Sequence, residues 1–173
     1  MKPDVQSPAK PKGSVQIPGV IVQFLSQATI GMAGTRDASL VPRIRRVSGW
    51  RVEPDQETIA CTIPEGYTGG LLESLRDNGE FTLTVEEIGP HETYQFKGTY
   101  VDAGPCTAPD LSAFEGLRDR FGSVVHSLYG IPEKACRAYI ARPSVTVRFR
   151  VREIFVQTPG PGAGRRLVPA EEK

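Results

Sequence analysis

A chain of 173 residues with 39% hydrophobic and 24% charged residues is long enough to bury one core without cross-links, and its composition is that of an ordinary globular domain. A formal net charge of +1 supplies no bulk attraction to nucleic acid or to an anionic membrane, and no run approaches the ~20 apolar residues that span a bilayer. The three cysteines, Cys61, Cys106 and Cys136, are odd in number and lack paired spacing, which argues against a disulfide framework or a zinc site and points to core thiols in a soluble, cytoplasmic protein.

Residues 1–16 are Lys/Pro-rich with no apolar core, and read as a disordered tail rather than a signal peptide. After Pro18, Val20, Ile21, Phe24 and Leu25 recur at helical spacing and predict a helix ending near Gln27. Ala28–Gly34 reads as a strand broken by small residues, and Leu40–Val47 as a second strand that Gly49–Val52 continues after a kink. A turn at Glu53-Pro54-Asp55-Gln56 leads into a third strand, Glu57–Ile63. Strands so close in sequence pair antiparallel, because a parallel crossover needs about a dozen residues.

The stretch from Arg43 to Val85 carries the chemistry. Arg43 and Arg45 are two apart on a strand and share a face, with Arg46 on the other. Thr68-Gly69-Gly70 opens a helix of about two turns through Leu71, Leu72 and Leu75, stopped by the left-handed cap pair Asn78-Gly79. A glycine turn at a helix start offers backbone N–H groups to an anion, so the two arginines and this turn together suit a phosphate.

Glu80–Glu87 alternates apolar and polar residues as a half-buried strand, and Thr93–Val101 returns beside it. Helices follow over Ala108–Ser127 and after Pro132. Ser144–Val156 is the longest alternating run, with Val145, Val147, Phe149 and Val151 against Thr146, Arg148, Arg150 and Arg152. The basic side predicts a solvent-facing stripe or one paired with acids across a dimer. Residues 157–173 form a Pro/Gly-rich tail. The expected architecture is mostly β (α+β): about six antiparallel strands closed into a small barrel that removes exposed edges, with peripheral helices.

In element order and in the segments PGVIVQFLSQ, ATIGMAG, LVPRIRRV, ETIACTI, GYTGGLLESLRDNG, EFTLTVEE and TYQFKGTYVDAG, residues 17–104 resemble the pyridoxamine 5′-phosphate oxidase-like family, the FMN-binding split β-barrels, with 145–156 as the closing strand of a domain over 17–156 and the helices between 104 and 143 as a departure from a minimal barrel. The resemblance implies a homodimer with FMN at the subunit interface. It implies phosphate contact from Arg43 or Arg45, with Ile44 between them, and from Thr68, Gly69 and Gly70. It also implies that Thr62 and Ile63 run beside the flavin ring. Relatives usually carry Lys or Arg where this chain has Thr68-Gly69-Gly70, so main-chain N–H groups and the helix dipole take that role here.

The resemblance further implies an oxidoreductase whose substrate stays unspecified. A non-catalytic barrel that has lost its cofactor, a deazaflavin-using reductase and a haem-binding relative are the alternatives. His91 and His126 are the two histidines, and neither has a sequence partner for metal ligation. No Cys-His or Ser-His-Asp arrangement is visible, so no catalytic residue is assigned.

Overall fold

The computed structural model describes residues 13–64, 66 and 68–168; most of the amino-terminal segment, Glu65, Tyr67 and the last five residues lie outside it. The element order is α1 (Gly19–Gln27), β1 (Ile30–Arg36), β2 (Pro42–Arg46), β3 (Gly49–Val52), β4 (Thr58–Pro64), α2 (Leu71–Asn78), β5 (Glu80–Glu87), β6 (Glu92–Pro105), α3 (Ala108–Tyr129), α4 (Glu133–Tyr139), β7 (Pro143–Val156) and β8 (Arg166–Val168). All strand pairs are antiparallel.

The sheet runs β2-β1-β5-β6-β7-β4-β3, so β2 and β3 are its two ends. Only Val47 and Ser48 separate them in sequence, and adjacent Cα atoms are 3.8 Å apart, so the two ends of the sheet must meet. They do so through a change of partner. Val47 N–H still donates to Gly31 of the β1 side at 3.0 Å, whereas Ser48 N–H donates to Thr62 of β4 at 2.8 Å. The chain from β2 to β3 is therefore one bent strand shared by two neighbours, and the sheet closes into a barrel. Counted this way, six staves form it, with β8 added on β7.

Alternation places the apolar faces inside. Ala33, Ile59, Cys61, Ile63, Phe81, Leu83, Val85, Phe96, Val147 and Phe149 are each at most 1% exposed and form one cluster with Ile21, Phe24 and Leu25 of α1 and Leu71 and Leu75 of α2. Phe81 and Phe149 meet with ring centroids 4.7 Å apart. Val15 and Ile17, ahead of α1, join this core, and Val15 N–H donates to Val151 O at 3.0 Å. The segment after β7 folds back: Leu167 of β8 packs on the core and Thr158 Oγ accepts from Thr93 N–H at 3.0 Å.

The long helix α3 builds a second, smaller cluster through Phe114, Phe121 and Val125 with Cys136 and Ile140. Its start is held by Asp110, which accepts from the Thr107 N–H (2.8 Å), the Thr107 hydroxyl (2.7 Å), the Thr146 hydroxyl of β7 (2.9 Å) and Arg51 Nε of β3 (2.8 Å). These bonds dock the helix on the outer face of β3, β4 and β7. Two of the three arginines on the basic side of β7 are accordingly paired. Arg148 pairs with Glu53 and Asp102, and Arg152 with Glu80, all within the same chain.

Candidate functional site

The β1–β2 register sets Arg43 opposite Thr35 and Arg45 opposite Ala33, with Arg46 opposite Met32. Since Ala33 is a core residue, Arg43 and Arg45 lie on the inner side of β2 and Arg46 on the outer side, the alternation expected of a strand. Arg46 stacks on Tyr139 (4.5 Å to the ring centroid) and Phe121 (5.2 Å), which ties β2 to the α3–α4 pair and accounts for it as a packing residue.

Arg43 and Arg45 both reach the turn that opens α2. Gly70 stands in the left-handed region at φ 71°, and a Cβ there would come within 2.6 Å of Arg43 Nη1 and 2.8 Å of its Cζ. The guanidinium lies across the glycine where any side chain would sit. Arg45 Nη2 donates to Gly69 O at 3.4 Å and Nη1 to Ile44 O at 2.8 Å. Arg43 Nη2 is 3.4 Å from Asp37 Oδ2, while its buried Nε has no acceptor among the described residues. Two cations thus converge on one turn, one of them with a hydrogen-bond donor left over. The turn is less open to an anion than its sequence suggests, because Thr68 O already accepts from the N–H groups of Leu71 (3.1 Å) and Leu72 (3.4 Å).

The remaining residues of the expected site lie elsewhere. Ile44 is 58% exposed on the outer side of β2, where it borders an open groove of about 450 Å³ together with Gly34, Pro42, Thr82 and Lys97. Thr62 is buried under α3: its hydroxyl donates to Gly49 O at 3.4 Å, and a Cβ on Gly49 would meet the Phe114 backbone at 3.0 Å. Ile63 points into the barrel core. Neither reaches a surface where a ring could lie beside its side chain. For Thr62 the reason is the docking of α3, which the helical periodicity of residues 108–127 shows as a helix but does not position; for Ile63 it is the alternation of β4.

The histidines have local partners. His91 Nδ1 is 2.8 Å from Glu86 Oε1, and His126 Nδ1 is 3.0 Å from Ile131 O near the end of α3. Among the described residues no cluster of three His, Cys, Asp or Glu side chains could hold a metal ion, and no helix is long and apolar enough to cross a membrane. Burial pushes the Cys61 thiol up, which keeps it in the unreactive protonated form. Trp50 Nε1 donates to Leu25 O at 2.9 Å, so its polar atom is already committed.

Among solved structures, HupZ of Group A Streptococcus superposes with a TM-score of 0.52 at 20% identity, covering 86% of this chain and all of that one. The chain is a split β-barrel. A pyridoxine phosphate oxidase family protein from Clostridium acetobutylicum (TM-score 0.46, 13% identity, 81% of this chain and 87% of that one) and an FMN-binding protein from Syntrophomonas wolfei (0.47, 11%, 79% and 88%) are also similar to this barrel. No protein-family model and no curated protein sequence matches it.

Asp110 holds α3 on the barrel, a role that local sequence pattern does not single out. The pattern Thr107-Ala108-Pro109-Asp110 is a capping arrangement with Asp in place of the usual Glu, and it marks the helix start. It does not mark the two partners on β3 and β7.

A substitution at Gly70 tests the local geometry. Gly70→Ala is expected to destabilise by about 1–2 kcal/mol from the left-handed backbone alone and to displace the Arg43 guanidinium. Gly69→Ala, where a Cβ would meet nothing within 4 Å, is expected to be close to neutral. Paired thermal melts of the two variants check this.

Proposed function

We propose that this barrel binds FMN through its phosphate and serves as a flavin-dependent oxidoreductase, assembled as a homodimer. The observation that carries the reading is the convergence of Arg43 and Arg45 on the Gly69–Gly70 turn, with the Arg43 Nε buried and without an acceptor. Those residues suit a phosphate dianion: guanidinium groups bind it through charge-assisted hydrogen bonds, and glycine lets the cation approach the main chain. FMN, when bound, would supply the electron-transfer chemistry through its ring. The chain's own part is to anchor the phosphate at Arg43 and Arg45. Exposed Met32 and Ile44 on the outer side of β1 and β2 supply apolar surface for a second subunit.

Purified protein titrated with FMN and, in parallel, with riboflavin tests this reading. Binding of FMN is expected to exceed that of riboflavin, which has no phosphate. The Arg43→Ala, Arg45→Ala double variant is expected to lose roughly 100-fold or more in FMN affinity, at about 1.5–3 kcal/mol for each charged hydrogen bond. Equal binding of the two flavins, or an unaffected double variant, removes the phosphate site from the reading.

A second reading is favoured by the burial of Thr62 under α3 and of Ile63 in the core. In it the barrel is a binding module without flavin. A protein that takes up neither FMN nor riboflavin would support it.

A further inference from the structure

A groove of about 400 Å³ runs between α1 and α3 over β3, on a different part of the barrel from the arginine–glycine turn. Val22 and Leu25 of α1, Trp50 of β3 and Ala113 of α3 supply apolar wall. Its size and lining are those of small-molecule sites, which are mostly apolar with few polar groups. None of the residues lining it is an acid, and two are arginines, Arg51 and Arg120.

The two arginines differ in their partners. Arg51 is neutralised by Glu53 at 2.6 Å and Asp110 at 2.8 Å. Arg120 forms no ion pair among the described residues, its Nε is buried without an acceptor, and burial pushes its guanidinium down. Arg43, Arg148 and Arg152 have a carboxylate in reach; Arg46 and Arg150 share with Arg120 an Nε without an acceptor among the described residues, but neither lines this groove. A donor left in this state is unfavourable unless something outside the chain accepts from it.

The helix makes room for that cation. Gly116, one turn before Arg120, lies inside α3, where glycine is less stable than alanine by about 1 kcal/mol. A Cβ at this position would stand 3.3 Å from Arg120 Nη1, a contact that requires the guanidinium to shift.

We propose that this groove binds a small carboxylic acid with an apolar tail, its carboxylate on Arg120 and its tail on the wall formed by Val22, Leu25, Trp50 and Ala113. A carboxylate accepts from a guanidinium fork in a planar, charge-assisted arrangement. The apolar wall favours a hydrocarbon tail over a second polar group.

Trp50 is the single tryptophan of the chain and lines the groove, so intrinsic fluorescence reports binding there directly, with calorimetry as a second readout. Octanoate is the probe, with octanol as its uncharged counterpart. Octanoate is expected to bind saturably and more tightly than octanol. Arg120→Gln is expected to weaken octanoate by roughly 10-fold or more and to leave octanol unchanged, while Arg120→Lys retains part of the difference. Circular-dichroism melts show that each variant is folded. The Arg43→Ala, Arg45→Ala protein is expected to bind octanoate like the native chain, which separates this site from the phosphate site. No saturable octanoate binding by either readout overturns the proposal. So does equal affinity for octanoate and octanol, or an Arg120→Gln protein with native affinity.

Discussion

Replacing Gly98 with alanine is expected to destabilise the barrel by about 3 kcal/mol or more and to lower its melting temperature by roughly 10 °C. Gly98 sits on β6 opposite Val151, at an irregularity in the pairing with β7 between Lys97 and Gly98. A Cβ there would overlap the Arg150 carbonyl oxygen and come within 2.7 Å of Phe149 Cδ2. The oxygen belongs to the main chain of the neighbouring strand, so no rotamer change relieves the contact. Phe149 in turn is fully buried against Phe81, so it cannot yield without disturbing the core. The comparison is Gly79→Ala at the end of α2. Its φ of 70° is strained for alanine, but the nearest atom to a new Cβ, Thr99 Cγ2, is 3.8 Å away. That variant is expected to lose only about 1–2 kcal/mol. Equal melting temperatures for the two would show that β6 and β7 can separate at this point.

Asp110→Ala is expected to be nearly as damaging, at about 3–5 kcal/mol, because it breaks a buried charge pair and strands its partners. The carboxylate is 1% exposed and accepts from Thr107, Thr146 and Arg51. Its loss leaves the Thr146 hydroxyl, also buried, without this acceptor, and removes the cap of α3. Denaturant titration of the variant measures the loss.

The same residue gives the barrel an acid dependence. Burial by itself would raise the Asp110 carboxyl; the donors from Thr107, Thr146 and Arg51 outweigh it and bring it from 3.8 to about 2. A folded-state value below the unfolded one means a contribution that is complete above pH ~4 and is lost as pH falls towards 2, worth about 2 kcal/mol. In Asp110→Asn this part of the acid dependence is expected to vanish. A variant whose stability falls with acid as steeply as the native chain's would place the dependence on other carboxylates.

Within single elements, much of this barrel is legible in the sequence. The alternation of residues 80–87 and 144–151 predicts which side chains face the core, and the structure places Phe81, Leu83, Val85, Val147, Phe149 and Val151 there. The spacing of Arg43, Arg45 and Arg46 predicts their opposite faces, and Asn78-Gly79 predicts the end of α2, where Gly79 caps at φ 70°. Even the kink between residues 47 and 49 was visible as a break in one strand. All of these follow from the period of a strand or helix and from backbone preferences, which act over a few residues.

What happens between elements was decided only by the tertiary structure. The kink turned out to close the barrel, because the N–H groups of Val47 and Ser48 donate to different neighbouring strands. Thr62 went under a helix and not beside an open pocket, because Asp110 meets Arg51 from 59 residues away in sequence. Of the β7 arginines, Arg148 found Glu53 just past β3 and Asp102 of β6, and Arg152 found Glu80 of β5, while Arg150 has no ion pair among the described residues. Arg120 found none among the described residues, and no spacing in the chain announces that absence. Ion pairs, helix docking and grooves depend on which distant side chains the fold brings together, and local periodicity carries no information about partners that far apart.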